Sequence, residues 1–269
     1  MAYQFVEVNG ARLYCDVQGS GEPIVLIHSG LGHLEMWEDQ MLAFTKSQRV
    51  VRYDVRGWGR SQGSATGYSD YDDLRELLRH LGIERTAVLG CSSGGGIAID
   101  FTLAYQGMVS ALIAVAPSVS GHKLPPNELI TQLRSASYEA YQAGQKGLAA
   151  ELTTQLWFDG EGRGPEEVDP LARRRVLEMI RSTFELPDHT MHPEGLKPPA
   201  ARRLAQIRVP TLLVIGDHDV APMAATVNIL EKRIPGARKI IIQGAAHLPN
   251  MEKPEEFNRI VADFLDSNR

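Results

Sequence analysis

Cysteine is scarce in this chain: there are two among 269 residues, Cys15 and Cys91, each inside an apolar, strand-like run. Two such thiols make no disulfide framework, so a small stapled scaffold is excluded and buried free thiols in a reducing compartment are expected. Long apolar runs are missing too. No stretch approaches the roughly 18 consecutive apolar residues that a membrane-spanning helix requires, so no membrane partner is expected. Met1-Ala2-Tyr3-Gln4-Phe5-Val6-Glu7 offers neither a basic head nor an apolar core, and a cytoplasmic location is expected rather than secretion. Positive charge is outnumbered: 28 Lys and Arg stand against 33 Asp and Glu, a net charge of −5. That balance leaves no electrostatic footprint for nucleic acid, and the one dense basic run, Arg173-Arg174-Arg175, reads as a solvated helix face. Biased tracts and internal repeats are absent. What remains, 43% hydrophobic and 23% charged, is the composition of a globular protein long enough for one core domain carrying an insertion.

The chain in order supports that division. Residues 5–8 and 12–17 alternate around Asn9-Gly10, a hairpin signal. Pro23-Ile24-Val25-Leu26-Ile27 is apolar throughout, as expected of a strand covered on both faces, and it runs into the polar loop His28-Ser29-Gly30-Leu31-Gly32. Helical patterns near 35–45 and 71–81 alternate with strands at 49–53, 87–91 and 109–115, the rhythm of a parallel sheet built by right-handed crossovers. From about 118 to 204 the strand signals stop, and helices are expected at 128–141, 147–157, 170–184 and 200–204. Strands then resume at 211–215 and 239–242, followed by a closing amphipathic helix with Phe257, Ile260, Val261, Phe264 and Leu265 on one stripe. Residues 1–117 and 205–269 therefore form an α/β core with eight strands, and 118–204 an all-helical insertion between strands 6 and 7.

Gly90-Cys91-Ser92-Ser93-Gly94 follows one of these strands and opens a helix. A strand that becomes a helix within one residue strains the residue at the bend and lifts its side chain above the sheet, and the flanking glycines leave room for neighbouring backbone. Ser92 is thus a candidate nucleophile. The N–H of Ser93, at the helix N-terminus, is a candidate donor to a developing oxyanion. A serine hydroxyl needs a general base, and that base an orienting acid. His247, in the small-residue loop Gly244-Ala245-Ala246-His247, has the reach for the first role. Asp219 and its competitor Asp217, both just past the penultimate strand, suit the second. The second oxyanion donor is expected from the loop after His28, with Gly30 favoured over Leu31, and His28 itself is expected to be structural.

Together with Trp37, Gln40 and the run Asp54-Val55-Arg56-Gly57-Trp58-Gly59-Arg60-Ser61, these stretches resemble α/β-hydrolase fold enzymes of the serine esterase and lactonase kind, with a layout similar to 3-oxoadipate enol-lactonases. The resemblance covers essentially everything outside the insertion. It implies an α/β-hydrolase fold, a mostly parallel eight-stranded sheet flanked by helices, with 118–204 as a helical cap. It further implies Ser92 as nucleophile, Asp219 as acid, His247 as base and Gly30 and Ser93 as oxyanion donors. Ser29 departs from the glycine usual after that histidine, which places a hydroxyl near the pocket. With Leu31, Trp157, Phe158 and Phe184, and also Met179 and Tyr138, it forms the candidate pocket lining. The expected substrate is a small ester or lactone. Thioesters, carbon–carbon bonds, peracid chemistry and a non-enzymatic small-molecule receptor remain the alternatives. The scheme needs no cofactor and no metal, and the only histidine pair of suggestive spacing, His189 and His192, lacks cysteine partners.

Overall fold

A computed structural model describes residues 3–186 and 191–268. Nine strands form one sheet: β1 (Tyr3–Val8), β2 (Ala11–Gln18), β3 (Glu22–Ile27), β4 (Gln48–Tyr53), β5 (Gln62–Gly63), β6 (Thr86–Cys91), β7 (Val109–Val115), β8 (Thr211–Gly216) and β9 (Arg238–Ile242). Their order is β1-β2-β4-β3-β6-β7-β8-β9, with β5 attached to β2. The first hairpin, the β2–β4 pair and the β2–β5 pair are antiparallel, and every pairing along the order from β4 to β9 is parallel. Eight of these strands are those expected from the sequence. The ninth, β5, is only two residues long and too short to leave an apolar period.

The helices are α1 (Glu38–Phe44), α2 (Asp70–His80), α3 (Ser93–Ala104), α4 (Glu128–Gln142), α5 (Lys146–Thr154), α6 (Pro170–Phe184), α7 (Ala221–Arg233), α8 (Pro249–Glu252) and α9 (Pro254–Asp266). The unbroken apolar runs of the central strands follow from covering both faces. Val25 and Ile27 join one buried cluster with Leu74, Leu77, Ile99, Phe101 and Val227 from α2, α3 and α7. Ile24 and Leu26 join the other with Met41, Phe44, Phe257, Val261 and Phe264 from α1 and α9. Each such aliphatic side chain contributes about 1.5–3 kcal/mol by leaving water, so the sheet is the rigid platform on which the loops at its carboxyl ends are set. Between β7 and β8 the described residues form only helices and loops. Among the described residues no helix is long and apolar enough to cross a membrane.

The basic run of the insertion departs from expectation at Arg173, while Arg174 and Arg175 are exposed. Arg173 is not solvated: its guanidinium binds Asp159 at 2.8 and 2.9 Å and also pairs with Glu151, so its charge ties α6 to the end of α5. Arg175 reaches across to Asp39 of α1 at 3.0 Å.

Two neighbouring carboxylates at the start of α2 are handled in opposite ways. Asp73 takes a two-pronged bond from the buried Arg56 at 2.7 and 2.9 Å. Among the described residues, one buried carboxylate oxygen of Asp70 has no partner. Burial, and then the charge of Asp73, push the Asp70 carboxyl up to about 7. Since an unfolded aspartate titrates near ~3.9, folding takes up a proton between that pH and about 7, and stability falls as pH rises through this window. Asp70→Asn removes the ionisation, so the variant should exceed the parent in stability by roughly 1–3 kcal/mol at pH 8 and match it near pH 4. Urea unfolding at both pH values measures this, and parallel curves with no pH-dependent gap would contradict it.

Candidate active site

The bend after β6 is built by close backbone approach. Ser92 sits at φ +54°, ψ −114°, a conformation that side chains rarely adopt. It is held there by the bond from its N–H to Val115 O (2.8 Å) and by the Gly96 N–H donating to its carbonyl (3.0 Å). A Cβ at Gly90 would stand 2.1 Å from Gly94 O, and one at Gly94 would stand 2.4 Å from Ile27 O and His28 O. Any side chain at either place would push β6 away from the first turn of α3 or α3 away from β3. The glycines therefore set the height at which the serine hydroxyl stands over the sheet.

Two loops from the far side of the sheet converge on that hydroxyl. Ser92 Oγ–H donates to His247 Nε2 at 2.9 Å, and His247 Nδ1–H donates to Asp219 Oδ2 at 2.9 Å. The second oxygen of Asp219 accepts the Val220 N–H at 2.8 Å, which fixes the plane of the carboxylate. Asp219 and His247 are almost entirely buried, so the charge on one is held directly against the polar edge of the other. Asp217 is exposed and turns elsewhere, accepting the Ala245 N–H at 3.2 Å as a brace of the histidine loop. Of the two aspartates that the sequence left in competition, only Asp219 meets the imidazole. The indole of Trp157 packs on the His247 ring with centroids 4.5 Å apart. Cys91, next to the nucleophile, is buried, and burial raises its thiol well out of the reactive range.

The loop after β3 supplies the opposite wall. His28 is buried; its Nε2 accepts the Val55 N–H at 2.9 Å, so Nδ1 carries the proton and donates to Ser29 O at 2.8 Å. Burial holds this imidazole below its usual pKa, and its contacts are those of a brace. The Asp54–Ser61 turn is part of the same scaffold: Asp54 accepts the Leu34 and Arg60 N–H groups, both at 2.8 Å. Ser29 Oγ accepts the Leu31 N–H at 3.2 Å. Among the described residues, the N–H groups of Gly30 and Ser93 donate to no protein acceptor.

Above Ser92 lies a cavity of about 420 Å³, walled by Gly30, Leu31, Ser93, Trp157, Phe184 and His247 together with one face of α4 that includes Tyr138. Three residues of the expected lining lie elsewhere. Phe158 is fully buried in the core cluster beneath the insertion, because the chain leaves α5 through a π turn at Gln155–Asp159 that turns Trp157 toward the serine and Phe158 away. Ser29 is fully buried, its hydroxyl engaged by Leu31. Met179 packs against Gly32 and lines a separate groove. Conversely, Leu133, Ser137 and Tyr141 line the cavity without having been singled out. Their four-residue spacing on α4 was the available signal. Among the described residues no group of three or more His, Cys, Asp or Glu could hold a metal ion. His189 lies outside the described residues.

Comparison with known proteins gives this geometry a family context. The family model described as "Alpha/beta hydrolase family" matches residues 24–260. A 2-hydroxy-6-oxononadienedioate/2-hydroxy-6-oxononatrienedioate hydrolase of Pseudomonas putida is 29% identical, covering 94% of this chain and 90% of its own. The 3-oxoadipate enol-lactonase 1 of Acinetobacter baylyi is 27% identical, covering 96% of this chain and 94% of its own. Among solved structures, a thermophilic esterase from Thermogutta terrifontis superposes with a TM-score of 0.81 over 99% of both chains at 22% identity, a likeness of fold. With a match running from β3 into the last helix, the chain belongs to the alpha/beta hydrolase family.

Proposed function

We propose that the protein is a serine hydrolase that cleaves a carboxylic ester or lactone through an acyl-enzyme. The observation that carries this reading is the unbroken line of two 2.9 Å hydrogen bonds from Asp219 through His247 to Ser92, ending beneath a cavity. The substrate carbonyl enters with its oxygen toward the free N–H groups of Gly30 and Ser93. His247 Nε2 takes the Ser92 proton as Oγ attacks the carbonyl carbon. The oxyanion forms against the two N–H groups, which, being fixed beforehand, need no reorganisation at that moment. Asp219 stabilises the imidazolium and keeps the tautomer correct. His247 then returns the proton to the leaving alkoxide, and water repeats the sequence to release the acid. Residues 118–204 serve as a cap, with α4 and the π turn closing the site over its acyl pocket. The named relative that is an enol-lactonase supports extending the substrate range from open esters to lactones.

A cavity of about 420 Å³ suits small to medium acyl groups, so p-nitrophenyl acetate and butyrate should turn over many times per protein molecule and the octanoate more slowly. Ser92→Ala should lower kcat by about 10⁴-fold or more. Steady-state release of p-nitrophenol measures both, alongside thermal unfolding to show that the variant is folded. Absence of turnover on any ester or small lactone by the folded parent would contradict the reading.

The two aspartates separate cleanly in the same assay. Asp219→Asn should cost about 10⁴-fold in kcat with KM little changed, because the imidazole loses its orienting acceptor, whereas Asp217→Asn should stay within about tenfold. Equal losses, or the larger loss at Asp217, would remove Asp219 from its role.

A further inference from the structure

The segment just after the π turn, Gly160-Glu161-Gly162-Arg163-Gly164, looks in the sequence like a plain glycine-rich connection. In the fold it threads between the loop carrying Asp219 and the loop carrying His247, and binds both. Trp157 O accepts the His247 N–H at 3.2 Å, and the Glu161 N–H donates to His218 O at 2.8 Å. The Glu161 carboxylate accepts the Ala221 N–H at 2.9 Å. Gly160 is wedged so tightly that a Cβ would lie 2.4 Å from His218 O and 2.6 Å from the Ala246 methyl.

Arg163 holds this strap to the histidine loop. Its guanidinium grips Glu252 with Nη1 at 2.7 Å and Nη2 at 3.3 Å. Nη1 also donates to Gly244 O at 3.0 Å, Nη2 to Phe158 O at 3.1 Å and Nε to Asp159 O at 2.7 Å. Glu252 in turn accepts the Ala246 N–H at 2.8 Å, one peptide before His247. Both charged side chains are more than nine-tenths buried.

A buried ion pair is by itself weak support for stability, since desolvation offsets much of the attraction. The direction of these bonds is more telling. Gly244-Ala245-Ala246 has no side chain longer than a methyl, so the loop cannot anchor itself, and the pair supplies an acceptor for one of its N–H groups and a donor for one of its carbonyls. We propose that Arg163, acting through Glu252, is a positioning residue that holds the 244–246 backbone so that His247 Nε2 stays within reach of Ser92, and that ties this placement to the helical insertion. The proposal rests on the serine-hydrolase reading above. Misplacing a reacting group by about 1 Å costs on the order of 10²-fold in rate, which sets the size of the expected effect.

The test follows the reaction of Ser92 with a p-nitrophenyl alkylphosphonate, which reports the nucleophilicity of the hydroxyl independently of which ester is the substrate, beside steady-state ester hydrolysis and thermal unfolding. In Arg163→Ala the phosphonylation rate and kcat should fall by about thirtyfold or more with KM within about threefold. Guanidinium chloride at tens of millimolar should restore part of the loss, which a general loss of stability would not allow. Arg163→Met combined with Glu252→Gln strands no charge and keeps an acceptor for Ala246 N–H, so it should stay folded and still be slow. A folded double variant reacting within threefold of the parent, or an Arg163→Ala defect that tracks unfolding and ignores guanidinium, would overturn the proposal. A parent that is phosphonylated at Ser92 yet hydrolyses no ester would instead contradict the ester reading, with the phosphonylation rates of the variants still deciding the role of Arg163.

Discussion

One backbone constraint organises the molecule: the chain must change from strand to helix with Ser92 as the single residue between them. The positive φ at Ser92 is tolerated because β3, β6 and β7 leave no other path, with Gly90, Gly94 and the Val115 carbonyl closing around it. The same bend places Ser93 at the open end of α3, on the wall of the cavity beside the serine. The proposed nucleophile and the proposed oxyanion donor thus share a single local cause. The central strands, buried on both faces, give the bend the stiffness to keep its unfavourable conformation.

The rest of the site is brought to that bend from a distance. Asp219 and His247 come from the ends of β8 and β9, and the first loop braces both: Asp219 accepts the Val220 N–H of its own loop, and Asp217 accepts the Ala245 N–H of the histidine loop. The insertion meets these residues at three places. Its first long helix forms one wall of the cavity, its π turn lays an indole on the imidazole, and its strap meets both loops. The buried charges of the insertion, Arg163 with Glu252 and Arg173 with Asp159, lie at the places where the insertion joins the core or folds on itself. Trp157 both lines the cavity and packs on the His247 ring, so one side chain touches the two.

Much of this was legible in the sequence because it rests on local rules. The central strands announce themselves as apolar, largely β-branched and aliphatic runs, the first hairpin as an alternation around Asn9-Gly10, and the serine stands between glycines at a strand-to-helix switch. The proposed acid and base, Asp219 and His247, follow the last two strands at loop positions where polar residues have no packing role. What was not legible depends on phase or on distant partners. A helical period carried through 147–157 places Trp157 and Phe158 on adjacent faces, and only the extra residue of the π turn decides that the first meets His247 and the second the core. Ser29 resembled a pocket hydroxyl, but its own loop curls so that Leu31 captures it. Arg173 resembled a solvated cation until Asp159 and Glu151 were brought beside it by the fold. Arg163 carried no local signal, because its five bonds reach partners as far away as Glu252.

The central claim is that Ser92 becomes covalently acylated, and rapid-quench mass spectrometry tests it most directly. The protein would be mixed with p-nitrophenyl butyrate, quenched in acid within the first turnovers and digested. The account predicts a butyryl group on the peptide containing Ser92, formed as the first p-nitrophenol is released and absent from Ser92→Ala. A butyryl group on another residue, or turnover that persists at full rate in Ser92→Ala with no acylated peptide, would contradict it.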